Sequence, residues 1–178
     1  MDKLNAATAV AIIMTILVLY ALGATPFIPV WAVFISWACF FHMGGGTYPR
    51  QAFSATIQHI GLGIVAAWLS ALLLLTNPFT NATLMEWWAP VIIGLVIGIL
   101  FRMSIFARFS ITPAIIYGYA GTFAFLSAPG RFDMEVLLSL SFENVLVALS
   151  ASLLIGAVAG YLNAFLVQWL STLSLKKG

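Results

Sequence analysis

Few side chains in this 178-residue chain could carry acid–base, nucleophilic or metal chemistry, and their positions restrict which. All five carboxylates, Asp2, Glu86, Asp133, Glu135 and Glu143, lie at the ends of apolar runs or in the links between them. Driving a proton or a sodium ion through lipid calls for an ionisable or coordinating group at depth, so ion-coupled pumping is disfavoured unless a histidine or backbone oxygens supply it. His42 closes the second apolar run and His59 lies about two turns into the third, with Arg50 in the link between them. Together they suit a pH-sensitive gate or an anion-attracting vestibule. They suit at least as well two histidines hydrogen-bonded at the interface and an arginine held by lipid phosphate. Cys39, the single cysteine, sits inside an apolar run, where it forms neither an internal disulfide nor a thiolate metal site and reads as a small buried hydrophobe.

No motif points to catalysis, and no cofactor or metal is expected. Gly44-Gly45-Gly46 continues into Thr47 and Tyr48 with no lysine, so it is not a phosphate loop, and neither HExxH nor a GxSxG elbow occurs. Asn81-Ala82-Thr83 matches the glycosylation sequon, which has meaning only in a secretory eukaryotic context. The chemistry on offer is recognition. Trp31, Phe34, Trp37, Phe40 and Phe41 crowd the second run, and Tyr117, Tyr119, Phe123 and Phe125 the fifth. Beside small hydroxyls, aromatic walls form a constriction that admits small, flat, neutral polar solutes and rejects hydrated ions. The expected lining is Ser36, Trp37 and Phe41 facing Tyr117, Thr122 and Phe125. The same stripes also suit plain packing or a lipid-facing belt.

The elements that must position these residues are membrane helices. The chain is 63% hydrophobic and 7% charged, whereas a soluble surface needs roughly a quarter charged residues. Six apolar runs account for nearly all of it: Ala6 to Leu22, Phe27 to Met43, Phe53 to Leu75, Trp87 to Phe101, Ile111 to Leu126 and Val145 to Leu170. A span needs about 20 apolar residues, fewer where the bilayer thins. The first run could pass for a secretory signal ending near Gly23-Ala24, and we read it as an uncleaved first span. The expected fold is therefore all-α, a polytopic membrane protein of six transmembrane helices in a single membrane domain.

Charge sets the orientation. With the N-terminus cytoplasmic, Lys3, Arg50, Arg102, Arg108, Lys176 and Lys177 all fall inside and only Arg131 outside. Both termini are then cytoplasmic. A net charge of +2, scattered along the chain, gives no reason to expect nucleic acid.

An internal repeat is also legible. Gly63 to Leu73 and Gly156 to Leu166 share six of eleven residues, with Trp68 against Tyr161 and Ser70 against Asn163. The second and fifth runs correspond through Pro29 and Pro113, Phe41 and Phe125, and Gly46 and Gly130, at a spacing nine residues shorter. Runs one and four show no convincing match. Halves of about 1–82 and 83–178, with three spans each, enter the membrane from opposite sides, giving a 3+3 inverted repeat. Such repeats place a site near the midplane, where corresponding segments are short or interrupted. Here those are helices two and five; an old duplication kept for folding would look the same.

Small residues mark the packing seams. Ser152, Gly156, Gly160 and Ala164 recur at every fourth position, Gly63, Ala67 and Ala71 do the same, and Gly94 with Gly98 form a GxxxG face. Lipid offers no hydrophobic drive for pairing helices, so close backbone approach supplies the contact. These ridges serve as bundle seams or as contacts in a homo-oligomer.

At WAVFISWACFFHMGGG, from Trp31 to Gly46, and at GTFAFLSAPG, from Gly121 to Gly130, the chain resembles the YcdZ-like family of small bacterial inner-membrane proteins of unknown function. That resemblance implies a bacterial inner membrane and six or so helices, and no binding residues. The expected function is a passive channel or facilitator for a small neutral or weakly charged polar solute, a urea-like amide being one example. A non-transporting membrane partner or assembly subunit is the alternative, and a His-gated secondary transporter a third.

Overall fold

The computed structural model describes residues 3–175, which leaves Asp2, Lys176 and Lys177 of the charge pattern outside the described residues. Within them the chain is helical throughout, without a strand. Its helices are α1 (Lys3–Leu22), α2 (Val30–His42), α3 (Pro49–Leu75), α4 (Ala82–Met103), α5 (Thr112–Leu126), α6 (Met134–Leu138) and α7 (Val145–Leu175), with a 3-10 turn at Ala107–Phe109 before α5.

Local chemistry sets the boundaries. Pro29 caps the start of α2, and the chain leaves its far end through Gly44, whose φ of 85° favours glycine. Gly130, at φ 76°, ends the stretch after α5 in the same way. Pro49 opens α3 and Pro113 lies in the first turn of α5, where a missing N–H costs no helical bond. Asn81 of the sequon serves as the cap of α4, its side chain accepting from the Leu84 N–H at 3.3 Å. That cap starts α4 five residues before the apolar run at Trp87. The structure adds a seventh helix, α6, to the six runs. Five residues are too few to leave a periodic signal, and only the Asp133 cap, accepting from the Glu135 N–H at 2.8 Å, announces it.

Among the described residues four helices are long and apolar enough to cross a membrane: Leu4–Leu22, Pro49–Leu75, Ala82–Met103 and Val145–Leu173. The 13 residues of α2 and the 15 of α5 reach only about 20 and 22 Å at 1.5 Å per residue. Large apolar side chains stand exposed along α1 and α4, among them Ile12, Ile16, Leu95 and Ile99, as a lipid-facing surface requires.

The chain forms two compact units, the first drawn from both ends of the sequence and the second from its middle. The first comprises Met1–Ile57 and Ser152–Gly178. Its core gathers Val18 of α1, Val33 and Trp37 of α2 and Ala159 of α7, and a smaller cluster joins Ala6 and Val10 to Val167. Contact between α2 and α7 is close because α7 offers glycine: a Cβ on Gly156 would overlap Val33 O, and one on Gly160 would press on the Phe40 ring at 2.7 Å. Ser36 Oγ donates across this seam to Leu153 O at 2.8 Å. Cys39 is buried and free.

The second unit comprises Gln58–Ala151. Its core gathers Ala67 of α3, Leu100 of α4, and Ile115 and Tyr119 of α5. Gly63 of α3 and Gly118 of α5 face one another; a Cβ on the first would overlap Ile115 O and one on the second Ile60 O. Two indoles tie down the periphery, Trp68 Nε1 donating to Leu137 O at 2.9 Å and Trp88 Nε1 to Leu73 O at 3.1 Å. Glycine serves a different role in α4, where Gly94 and Gly98 meet nothing within 4 Å.

Candidate functional site

Within the first unit the helices leave a cavity of about 1040 Å³. Ala7, Ala11 and Thr15 line it from α1. These recur at every fourth position, so the helical repeat sets them on one face, and their small side chains leave space where larger ones would close it. From α2 come Phe34, Trp37, Ala38 and Phe41, the first two stacked with ring centroids 5.8 Å apart at 15°. The C-terminal half of α7 adds the polar groups of Tyr161, Asn163, Gln168 and Ser171, and Thr47 adds a hydroxyl from the link before α3. Among the described residues no charged side chain lines the space.

Ser171 has a use within the protein and Gln168 and Thr47 lie in the open, whereas Asn163 is buried without either. Ser171 Oγ donates back to Val167 O at 2.8 Å, the usual way a serine hides its hydroxyl in a helix. Asn163 is 5% exposed, and its amide makes no hydrogen bond among the described residues. Trp37, also nearly buried, has only its ring stacking. Buried polar groups in native proteins almost always find a partner, and one aimed into a cavity finds it in water or a ligand.

The expected lining residues divide between the units. Trp37 and Phe41 line the first unit's cavity. Ser36 is buried with its hydroxyl bound to Leu153 O, in the α2–α7 seam. In the second unit, Thr122 Oγ1 donates to Gly118 O at 2.8 Å, Phe125 lies beneath the Arg131 guanidinium at 4.1 Å, and Tyr117 is exposed. Of the small-residue positions, Gly63, Gly156 and Gly160 sit in tight seams, Ser152 is buried, and Gly94 and Gly98 are open.

The candidate gate residues divide likewise. His42 is exposed at the end of α2 and Arg50 in the first turn of α3, both in the first unit. His59 is buried in the second, where its Nε2 accepts the Ile111 N–H at 3.3 Å and its ring meets Phe109 edge-on. One turn away Arg108 Nε donates to Gln58 Oε1 at 2.9 Å. The imidazole therefore serves the backbone at the entry to α5. His59→Ala is expected to strand that N–H and lower stability by about 1–3 kcal/mol, read as a drop of several degrees in thermal unfolding in detergent.

Neither aromatic density nor the small-residue ridges mark the α1 face, Gln168 or Ser171 in the sequence. A signal existed: Thr15, Asn163 and Gln168 are polar residues inside otherwise apolar runs. In a membrane helix such residues face protein or a cavity rather than lipid.

A family model described as "Protein of unknown function (DUF1097)" matches residues 7–168. No curated protein and no solved structure matches the chain.

Proposed function

The chain belongs to the DUF1097 family of proteins of unknown function, and from the cavity of its first unit we propose that it is a passive facilitator for a small neutral polar solute. It resides in a bacterial inner membrane, which it crosses six times with both termini cytoplasmic. In this reading α2 and α5 are the two short spans, accommodated by local thinning of the bilayer.

The two cores support a duplication. Val18, Val33 and Trp37 of the first correspond to Leu100, Ile115 and Tyr119 of the second, each pair 82 residues apart, and Met14 to Val96 likewise. Ile155 and Ala159 correspond to Leu62 and Ala66 at 93 residues, the separation that also relates Gly156 to Gly63. Gly156 demands closeness to Val33 O as Gly63 does to Ile115 O. This packing register pairs α1 with α4, which the sequence alone does not, and shifts α2 against α5 by two residues from the proline and phenylalanine match. The excess of eleven residues in the second separation falls between α5 and α7, where α6 is inserted. Three spans per half then make the repeat inverted.

The observation that carries the facilitator is the uncharged, aromatic-walled cavity with the buried amide of Asn163 at its side. Asn163 lies three residues past the middle of α7, about 5 Å along its axis, and so near the midplane of a helix that spans. Among the described residues the cavity has no fixed charge to couple to an ion, which favours passive flux. Proteoliposomes in a swelling assay with urea, acetamide and glycerol are expected to admit at least one faster than empty vesicles. Permeability no greater than that of empty vesicles for every solute would remove the reading.

One observation favours a second reading, as a subunit of a homo-oligomer. The Gly94–Gly98 face of α4 is open, although close backbone approach is the main use of such a face in lipid. Gly94→Leu with Gly98→Leu is then expected to convert an oligomer to a monomer in light scattering of the detergent-solubilised protein. An unchanged mass removes this reading.

A further inference from the structure

Three polar side chains of the first unit's cavity make no hydrogen bond among the described residues, and each has a counterpart in the second unit that makes one. At the separations of the repeat, Trp37 corresponds to Tyr119, Tyr161 to Trp68 and Asn163 to Ser70. In the second unit Tyr119 Oη donates to Ser70 Oγ at 3.1 Å and Trp68 Nε1 to Leu137 O at 2.9 Å. In the first, Trp37, Tyr161 and Asn163 form no side-chain hydrogen bond among the described residues, and all three line the cavity. The space has the same origin. Ala11 and Thr15 of α1 stand where α4 has Ile93 and Ile97, and those isoleucines pack into the second unit's core. One copy of a common arrangement is thus filled and internally satisfied, and the other is hollow with its polar groups held out.

Resting on the repeat and the facilitator proposed above, we infer that this cavity is a binding site for a neutral, flat-ringed molecule bearing a carboxamide or lactam edge. A primary amide offers a donor and an acceptor side by side, and its best complement is another amide edge, which returns both bonds. The Trp37 N–H and the Tyr161 hydroxyl add further polar contacts to the same ligand. Stacked Phe34 and Trp37 provide a flat wall for a ring. With no charge in the lining among the described residues, an ionised ligand would stay unpaired. A volume of about 1040 Å³ leaves ample room for a single-ring carboxamide. Asn163 and Trp37 are the specificity-determining residues.

The test is equilibrium binding of tritiated nicotinamide to the purified full-length protein in detergent, with nicotinate as the charged competitor. Nicotinamide is expected to bind saturably and nicotinate to compete poorly. Asn163→Leu, which keeps the shape and breaks no bond within the protein, is expected to weaken binding at least tenfold at unchanged melting temperature. Ala11→Ile with Thr15→Ile, the second unit's residues, is expected to abolish binding while the melting temperature holds or rises, so a folding defect cannot mimic the result. Binding unaffected by Asn163→Leu, equal affinity for nicotinate, or a tightly held phospholipid that nicotinamide does not displace would each overturn the inference. Saturable, Asn163-dependent binding without flux through proteoliposomes would uphold it and remove the facilitator alone. Urea flux indifferent to both substitutions, with no nicotinamide binding, would do the reverse.

Discussion

Alanine in place of Gly63 is expected to force α3 and α5 apart and to destabilise the second unit by about 3 kcal/mol or more, the upper range for overpacking a tight contact. The added methyl meets backbone, at Ile115 O and beside Gly118, and backbone cannot rotate aside as a flexible side chain would. Gly118→Ala should cost a similar amount, because its methyl meets Ile60 O across the same seam. The usual gain from alanine in a helix, about 1 kcal/mol, is too small to offset this. Gly94→Ala and Gly98→Ala are the controls. Nothing lies within 4 Å of either, so each should leave the stability of the single chain unchanged or slightly raised. Thermal unfolding of the four variants in one detergent measures all of this. Equal losses at Gly63 and Gly94 would show that the seam is not where the packing places it.

Removing the Asn144 side chain is expected to have the next largest effect, about 2–4 kcal/mol for Asn144→Ala. This residue is buried just ahead of α7 and uses both ends of its amide. Its Nδ2 donates to Leu137 O at 2.9 Å and Ser139 O at 2.7 Å, while its Oδ1 accepts the Leu146 N–H at 2.9 Å. One side chain therefore caps α7 and fastens the end of α6. Alanine strands the Ser139 carbonyl and the Leu146 N–H and leaves Leu137 O with the Trp68 indole alone. Asn144→Asp separates the roles: the carboxylate still caps a helix N-terminus, which favours negative charge, but it loses both donations and faces two carbonyl oxygens. Hydrogen exchange is expected to show lost protection at Met134–Leu138 in both variants, and at the first turn of α7 only in the alanine variant. Protection at α6 that survives Asn144→Asp would refute the fastening role.

Much of the scaffold was legible because lipid imposes simple rules on sequence. Each apolar run became a helix, with ends within a few residues of where glycine, proline and polar links place them. Cys39 is buried and free, as its apolar context implied. The short α6 escaped notice because five residues give no period. Of the residues that line the cavity, Trp37 and Phe41 stand out in the sequence by aromatic density, and Asn163 only by its match to Ser70. The α1 face went unread: Ala7, Ala11 and Thr15 are unremarkable until their neighbours are known.

By composition and order alone, the chain was committed to apolar helices with punctuated ends, since unpaired backbone in lipid is too costly for any other element. Tertiary structure decided what each small or polar residue is for. Gly63 closes a seam and Gly94 opens onto nothing, though both sit in apolar helices. Ser70 is satisfied by Tyr119 while Asn163 is left facing a cavity, though they occupy matching places in sequence. The physical reason is that close approach and hydrogen bonding are properties of pairs. A sequence names one member of each pair, and only the fold brings the second.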